Sequence, residues 1–202
     1  MATPNPLKLE PVTVEDISDI TNLWFAAFTD PEIRRVFPDT PGVRKWLEDT
    51  NRNDLAEKPF QRYLKVVDTE SRNSQGRLRI AAFAKWDLSM PVERGQRYLP
   101  WHENMPAQLC EDFFNREEIN RKRVMSDKKH FYLDTVATHP DYQRRGAGAM
   151  LVKWGCDLAD AEKVEAYVDA SKDGAPLYAK FGFVDYSNPG EDIASMARPI
   201  AI

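Results

Sequence analysis

Residues 130–151 read His-Phe-Tyr-Leu-Asp-Thr-Val-Ala-Thr-His-Pro-Asp-Tyr-Gln-Arg-Arg-Gly-Ala-Gly-Ala-Met-Leu. Phe131 to Thr138 is rich in β-branched and aromatic residues and predicts a strand. Pro140 has no N–H to give to a ladder and biases His139 towards extended backbone, so the strand should end there. Gln143-Arg144-Arg145-Gly146-Ala147-Gly148 then opens a helix predicted to carry Met150, Leu151, Trp154 and Leu158 on one side. Glycine lets a backbone approach a ligand closely. The first turn of a helix leaves N–H groups unpaired, and the helix dipole adds positive potential there. With Arg144 and Arg145 beside those amides, the stretch predicts a phosphate cradle. Its spacing is Gln-x-x-Gly-x-Gly, which is neither the Gly-x-x-x-x-Gly-Lys-Ser/Thr of nucleoside triphosphate loops nor the Gly-x-Gly-x-x-Gly of dinucleotide-binding folds.

Around this stretch, 202 residues suit one domain with a substantial core. An apolar content of 42% and a charged content of 30% are ordinary for a soluble globular protein. No apolar run approaches the roughly 20 residues that span a bilayer, so no membrane association is expected. The opening residues lack a basic region followed by an apolar core, which argues against a secretory leader. A formal net charge of −4 argues against a dedicated nucleic-acid binder. Cys110 and Cys156 form neither a disulfide framework nor a metal spacing. A reducing cytoplasmic setting follows as the expectation, with the nucleus left open.

Leu7, Leu9 and Val12 alternate as in a short first strand. Thr13 can cap a helix, with Asp16 three residues on, and Ile17, Ile20, Trp24, Ala27 and Phe28 follow at helical spacing until Asp30-Pro31. Thr40-Pro41 starts a second helix, predicted to run to about Glu57 with Val43, Trp46 and Leu47 inwards. Phe60 to Val67 and Leu78 to Trp86 read as a hairpin joined by the polar stretch from Asp68 to Arg77. Residues 89–129 read as an insertion: a loop marked by Pro91, Gly95, Pro100 and Pro106, then a helix from Glu111 to Met125. Val164 to Ala170 predicts a strand and Ala175 to Phe181 a short helix ended by Gly182. Phe183 to Tyr186 and about Ile193 to Arg198 close the chain as strands. The strand–helix–strand run over 131–170 predicts a right-handed parallel crossover in a mixed sheet.

Leu177-Tyr178-Ala179-Lys180-Phe181-Gly182-Phe183 is a second local signature, well separated from Gln143-x-x-Gly146-x-Gly148. The two segments, in this element order, resemble the GCN5-related N-acetyltransferase (GNAT) superfamily, and Thr138 to Gly148 looks most like its fungal members. The resemblance implies a mixed α/β (α+β) GNAT fold, with 1–202 as a single domain. Its central sheet of about seven strands is mostly antiparallel, around a strand–helix–strand–helix cofactor core in which strands 4 and 5 splay apart.

It also implies acetyl-CoA as co-substrate, no metal, and transfer of an acetyl group to a primary amine by direct attack on the thioester. The expected acceptor is a small molecule. A protein lysine or N-terminus is the substrate alternative, and a non-catalytic acyl-CoA-binding module is the non-enzyme alternative. Paired subunits are common in the family, so a homodimer is among the expectations. By resemblance, the main chain of Val136, Ala137 and Thr138 would meet the pantetheine arm, with the Val136 N–H facing the oxyanion. Amides of Gln143, Arg144, Arg145, Gly146, Ala147, Gly148 and Ala149 would hold the pyrophosphate, and Ser171 would lie near the cofactor. Tyr178 would give a proton to the leaving thiolate.

Asp134, just before the splay, is the nearest carboxylate for a base or an amine-binding group, and an equally good reading is a buried hydrogen-bonding residue that orders its strand. Alternation places Tyr132, Asp134 and Val136 on one sheet face. His102, His130 and His139 are scattered without ligand spacing and read as structural. Trp24, Phe28, Trp86 and Trp101 could line an acceptor pocket, core packing being the better default for each singly.

Overall fold

Helical and strand-forming segments follow one another in the predicted order, with one helix added. The structure is a computed structural model that describes residues 5–200; residues 1–4, read above for a leader, and 201–202 lie outside the described residues. The elements are β1 (Leu7–Pro11), α1 (Ile17–Ala27), α2 (Pro31–Val36), α3 (Pro41–Glu57), β2 (Gln61–Arg72), β3 (Leu78–Asp87) and α4 (Ala107–Met125). After them come β4 (His130–Thr138), α5 (Ala147–Glu162), β5 (Glu165–Ser171), α6 (Ala175–Ala179), β6 (Val184–Asp185) and β7 (Ile193–Arg198).

The additional helix, α2, begins where the sequence reading placed a stop. Asp30 accepts the N–H of Glu32 at 2.9 Å and Pro31 occupies the first turn, so the pair starts a new helix. Among the other bounds, those of β2 and α4 differ most. β2 runs on to Arg72 and turns through Asn73 to Arg77, with Gly76 at φ 77°. α4 begins at Ala107, a turn before the charged stretch that signalled it.

The seven strands form one mixed sheet in the order β1-β2-β3-β4-β5-β7-β6, antiparallel except for β4 beside β5. This is the mixed α/β architecture expected. α5 covers one face, over Leu64, Val66, Trp86, Phe131, Leu133 and Val168. The other face packs on α1 and α3 through Ile20, Trp24, Val43, Trp46 and Phe83, and α4 covers Tyr132 and Tyr167. Burying each such side chain contributes about 1.5–3 kcal/mol.

The inward face of α5 differs from the predicted one. Ala147, Leu151, Val152, Gly155, Cys156 and Ala159 are buried, while Met150, Trp154 and Leu158 sit at the margin. Small residues at the seam let the helix lie close to β3. A Cβ at Gly155 would fall 2.2 Å from the ring of Trp86, which is fully buried. That contact also places Trp86 under α5, away from any acceptor pocket.

Two irregularities open the centre of the sheet. β4 pairs with β5 only from His130 opposite Glu165 to Leu133 opposite Val168. Beyond that point β4 stays with β3, and β5 stays with β7 through Ser171. In the same place the β3–β4 register jumps from Trp86 opposite Leu133 to Lys85 opposite Thr135, leaving Asp134 as a bulge. An extra residue bends and twists its strand, which accompanies the divergence of β4 from β5.

Candidate active site

The bulge reassigns side chains along β4. Tyr132 packs beside α4 and Asp134 faces the same side, towards Arg97. Val136 packs against the α5-side core and Ala137 against the opposite one. The expectation that Tyr132, Asp134 and Val136 share a face therefore fails at Val136, because the extra residue shifts the alternation by one. The N–H of His139 donates to the C=O of Ala81 at 2.9 Å. Polar groups alternate along a strand, so Ala137 also faces β3, while the N–H and C=O of Val136 and Thr138 turn into the gap beside β5.

Below the gap, Pro140 to Tyr142 form a short 3₁₀ turn that His139 caps through its Nδ1, which accepts the N–H of Asp141 at 3.2 Å. Tyr142 is buried and anchors the loop. Its hydroxyl donates to Asp68 at 3.0 Å, and the guanidinium groups of Arg79 and Arg145 lie over its ring, 5.4 and 4.6 Å from the centroid. Arg79 also pairs with Asp141 at 2.6 Å. The loop then exposes Gln143, Arg144 and Arg145 and crosses Arg144 and Gly146 in left-handed conformation, at φ 60° and 92°. Among the described residues, the N–H groups of Arg144, Gly146, Ala147, Gly148 and Ala149 have no protein hydrogen bond.

The space in front of these amides is open: a Cβ added at Gly146 would meet nothing within 4 Å. Gly148 is closely packed instead, its Cβ position 3.2 Å from Thr138 Oγ1 and 3.5 Å from Leu177 Cδ2. The end of β4, the start of α5 and α6 thus meet at one glycine. The residues fit a phosphate-bearing ligand: unpaired amides at a helix start, an open backbone and exposed guanidinium groups.

Tyr178, on α6, is buried and packs edge-on against Phe183 at 5.9 Å. Burial pushes its hydroxyl up to about 12, so the phenol is protonated at neutral pH. Ser171 ends β5, and its Oγ accepts the N–H of Gly174 at 3.1 Å, closing the turn that leads into α6.

On the other face, Asp134 and Thr135 form part of a pocket ringed by Trp24, Phe37, Leu47, Tyr63, Phe83 and Tyr98. Asn51 and Lys85 complete it. Phe28 lies beside this pocket against Trp24, and Trp101 stacks on Phe114 outside it. The polar floor is one connected network. Lys85 donates to Asp54 at 2.6 Å and lies 3.7 Å from Asp134. Tyr63 donates to Asp54 at 2.9 Å and contacts Asn51 at 3.0 Å. Arg97, from the segment between β3 and α4, meets Asp134 at 3.0 Å and Glu117 of α4 at 2.5 Å. Burial pushes the Asp134 carboxyl up, but Arg97 and Lys85 outweigh it and hold the group well below the usual carboxylate range.

Lys85, Asp54, Arg97 and Tyr98 were not singled out from sequence. Lys85 alone left a signal, as a charged residue inside the apolar run from Ile80 to Trp86. The histidines sit apart: His130 is buried beneath Arg94, with Nε2 at 2.9 Å, and burial with that guanidinium pushes it down to about 3. His102 turns on itself, its Nδ1 accepting the Asn104 N–H. Cys110 and Cys156 are both buried. Among the described residues no group of three or more His, Cys, Asp or Glu could hold a metal ion, and no helix is long and apolar enough to cross a membrane.

Comparison with known proteins gives a consistent result. Residues 107–183 match the model of the acetyltransferase (GNAT) family. An acetyltransferase of the fungus Stachybotrys chartarum is 26% identical over 204 residues, spanning 90% of this chain and 86% of that protein. Among solved structures, a histone acetyltransferase HPA2 and related acetyltransferase from Corynebacterium glutamicum superposes with a TM-score of 0.60 at 22% identity, covering 98% of both chains. The PaiA N-acetyltransferase of Thermoplasma acidophilum, solved with coenzyme A, superposes at 0.55 and 10% identity over 96% of this chain and 98% of that one. At these identities the two structures share the fold with this chain.

Proposed function

The chain belongs to the GNAT acetyltransferase family, and from that premise we propose that it moves an acetyl group from acetyl-CoA to a primary amine of a small molecule. The observation that carries this reading is the juxtaposition at Asp134 and Thr135. A gap between β4 and β5 opens towards the unpaired amides of α5 on one side, and an aromatic pocket shares the same two residues on the other. A thioester held in the gap would meet an amine held in the pocket where β4 and β5 part.

In this reading, residues 1–202 form one acetyltransferase domain and 89–129 is an insertion that helps wall the acceptor pocket through Tyr98 and Arg97. The main chain of Val136 and Thr138 pairs with the pantetheine amides as an added strand would, with Ala137 fixed to β3 between them. The N–H of Val136 faces the oxyanion that develops as nitrogen attacks. The unpaired amides of Arg144 and of Gly146 to Ala149 hold the pyrophosphate, whereas those of Gln143 and Arg145, expected to join them, are donated to Pro140 and Tyr142 within the loop. Arg144 and Arg145 supply positive charge there, Arg144 more freely because Arg145 is stacked on Tyr142 and lies 3.8 Å from Asp68. Ser171 orders the turn beside the cofactor. Tyr178 protonates the departing thiolate. Asp134, an ion-paired carboxylate, fixes Arg97 and Lys85 and the charge of the pocket floor.

The acceptor pocket is narrow and largely aromatic, which supports a small amine over an extended peptide. Calorimetry with CoA, followed by thiol release across a panel of small amines, peptide lysines and peptide N-termini, tests the reading. Binding with turnover on small amines is the expected result. Turnover only on peptides would transfer the activity to protein acceptors. Binding without thiol release from any amine would make the chain a CoA-binding module, and absence of CoA binding would remove the proposal altogether.

A further inference from the structure

Two aspartates flank the apex of the split, one on each strand. Leu133 and Val168 are the last paired residues of β4 and β5, and the next residue on each strand is Asp134 and Asp169. Their surroundings differ. Asp134 is bound by Arg97 and approached by Lys85. Asp169 is met by two phenols instead: the hydroxyl of Tyr167 donates to Oδ1 at 2.7 Å, and that of Tyr132 to Oδ2 at 3.1 Å. Each carboxylate oxygen has two lone-pair sites, so one further donor can be accepted at each. As whole residues Asp134 and Asp169 are both half-buried, so it is their partners that set them apart.

We propose that Asp169 is the proton acceptor for the incoming amine, a role that rests on the acetyl-transfer reading above. When neighbouring titratable groups are pushed in opposite directions, their acid–base roles separate. Asp134 is held ionised by its cations and makes a weak base. For Asp169, burial pushes the carboxyl up and Glu117 adds to this; hydrogen bonds from Tyr167 and Tyr132, with the charge of Arg97 between them in size, hold it down, leaving it at about 7. The groups acting on it are Tyr132 of β4, Tyr167 of β5, Glu117 of α4 and Arg97 from the segment before α4, and Arg121 of α4 acts on its partner Tyr167. β7 places only the neutral Ser195 opposite it. A base near the working pH is ionised often enough to act and basic enough to take a proton.

The ammonium gives one proton to the Asp169 carboxylate, and the freed lone pair forms the C–N bond at the thioester carbon. The C–S bond breaks and sulfur takes the phenolic proton of Tyr178. The nitrogen loses its second proton, which restores the phenol, and Asp169 returns its proton to water. Net, an ammonium and a thioester give an amide, a thiol and one proton.

The test is the pH dependence of thiol release with an amine that the wild type accepts. For the wild type, kcat/KM should rise with pH and bend near 7, because Asp169 must be ionised. Asp169→Asn should lower kcat at pH 7 by roughly 10²–10³-fold and keep CoA affinity by calorimetry. Its profile should lose the bend and climb until the amine itself loses its proton, near ~10. Tyr132→Phe leaves the carboxylate in place and removes one donor that holds it down, so its bend should move to higher pH. An Asp169→Asn variant that keeps the bend near 7, or a Tyr132→Phe variant whose bend does not move, overturns the proposal and leaves acetyl transfer standing. A wild type that releases no thiol with any amine overturns both.

Discussion

Arg97 reaches Asp134 from a segment 37 residues earlier in the chain, its Nε 3.0 Å from the carboxylate oxygen. The ring of Tyr98 lies 5.3 Å and that of Phe114 4.8 Å from the same guanidinium. This clasp holds the 89–129 segment to the floor of the pocket. Removing one partner of a buried pair leaves the other charge unmatched and costs about 3–5 kcal/mol. Here Glu117 remains beside Arg97, and Asp54 beside Lys85. Asp134→Asn should therefore cost about 3 kcal/mol in urea unfolding at pH 7, at the low end. The sign with pH follows from the direction of the shift. Asp134 is held below its unfolded value of about 3.9, so its contribution is complete above that value and is lost as pH falls below it. The gap between wild type and variant should narrow in acid unfolding below pH ~4.

The loop predictions separate its two arginines. Gly146→Glu places a side chain at φ 92°, where L residues are strained, and sets a carboxylate where phosphate charge is expected. Calorimetry should find no CoA binding, with an unchanged circular dichroism spectrum. Arg144→Ala should weaken CoA by about tenfold, ~1.4 kcal/mol, with a shallower dependence on salt. Arg145→Ala should lose less affinity and more stability, because Arg145 stacks on Tyr142 beside Asp68.

Gly155→Ala tests how α5 is seated. The added Cβ would lie 2.2 Å from Trp86 Cε2 and Cζ2. The indole has no free direction: it is fully buried and its Nε1 donates to the C=O of Leu151 at 3.3 Å. Either the helix lifts or the ring turns and loses that bond. Overpacking of this kind costs about 1–3 kcal/mol, which for a chain of this size lowers Tm by several degrees. Trp86→Phe in the same chain should recover part of the loss, a coupling readable in a double-mutant cycle.

How much of this was legible in the sequence varies with the range of the interaction. Strand β4, the turn at Pro140 and the start of α5 are local: proline, glycine and β-branched residues act on their own neighbours, and the structure places the strand and the turn within a residue or two of the reading and starts α5 at Ala147, inside the stretch read as opening it. The family followed from two such local segments. The buried face of α5 was misread because Gly155 and Cys156 carry little hydrophobic weight, although closeness to Trp86 is what selects them. The bulge at Asp134 left no local mark, since the pairing of β3 sets it, and it moved Val136 to the other face. Arg97 and Asp54 gain their roles from partners 37 and 31 residues away, and Asp169 from Tyr132, 37 residues away, as well as from Tyr167 on its own strand; no periodicity reports the distant ones.

Tyr178 offers the sharpest separation of chemistry from binding. Its hydroxyl is pushed up to about 12 by burial, so it stays protonated across the usable range and can give a proton to a thiolate. Tyr178→Phe keeps the ring that packs at 5.9 Å against Phe183 and removes only the oxygen. CoA affinity should stay within about twofold, and stability should change little. Turnover should fall by roughly 10²-fold, the scale of a lost general acid. Because the wild-type phenol does not ionise below about 12, its profile should show no decline up to pH ~10. A thioester with a more acidic thiol needs less help in leaving, so the deficit of the variant should shrink with such a donor. An unchanged ratio of variant to wild type between the two donors would place Tyr178 in packing alone, and a shrinking one would place its proton on the leaving sulfur.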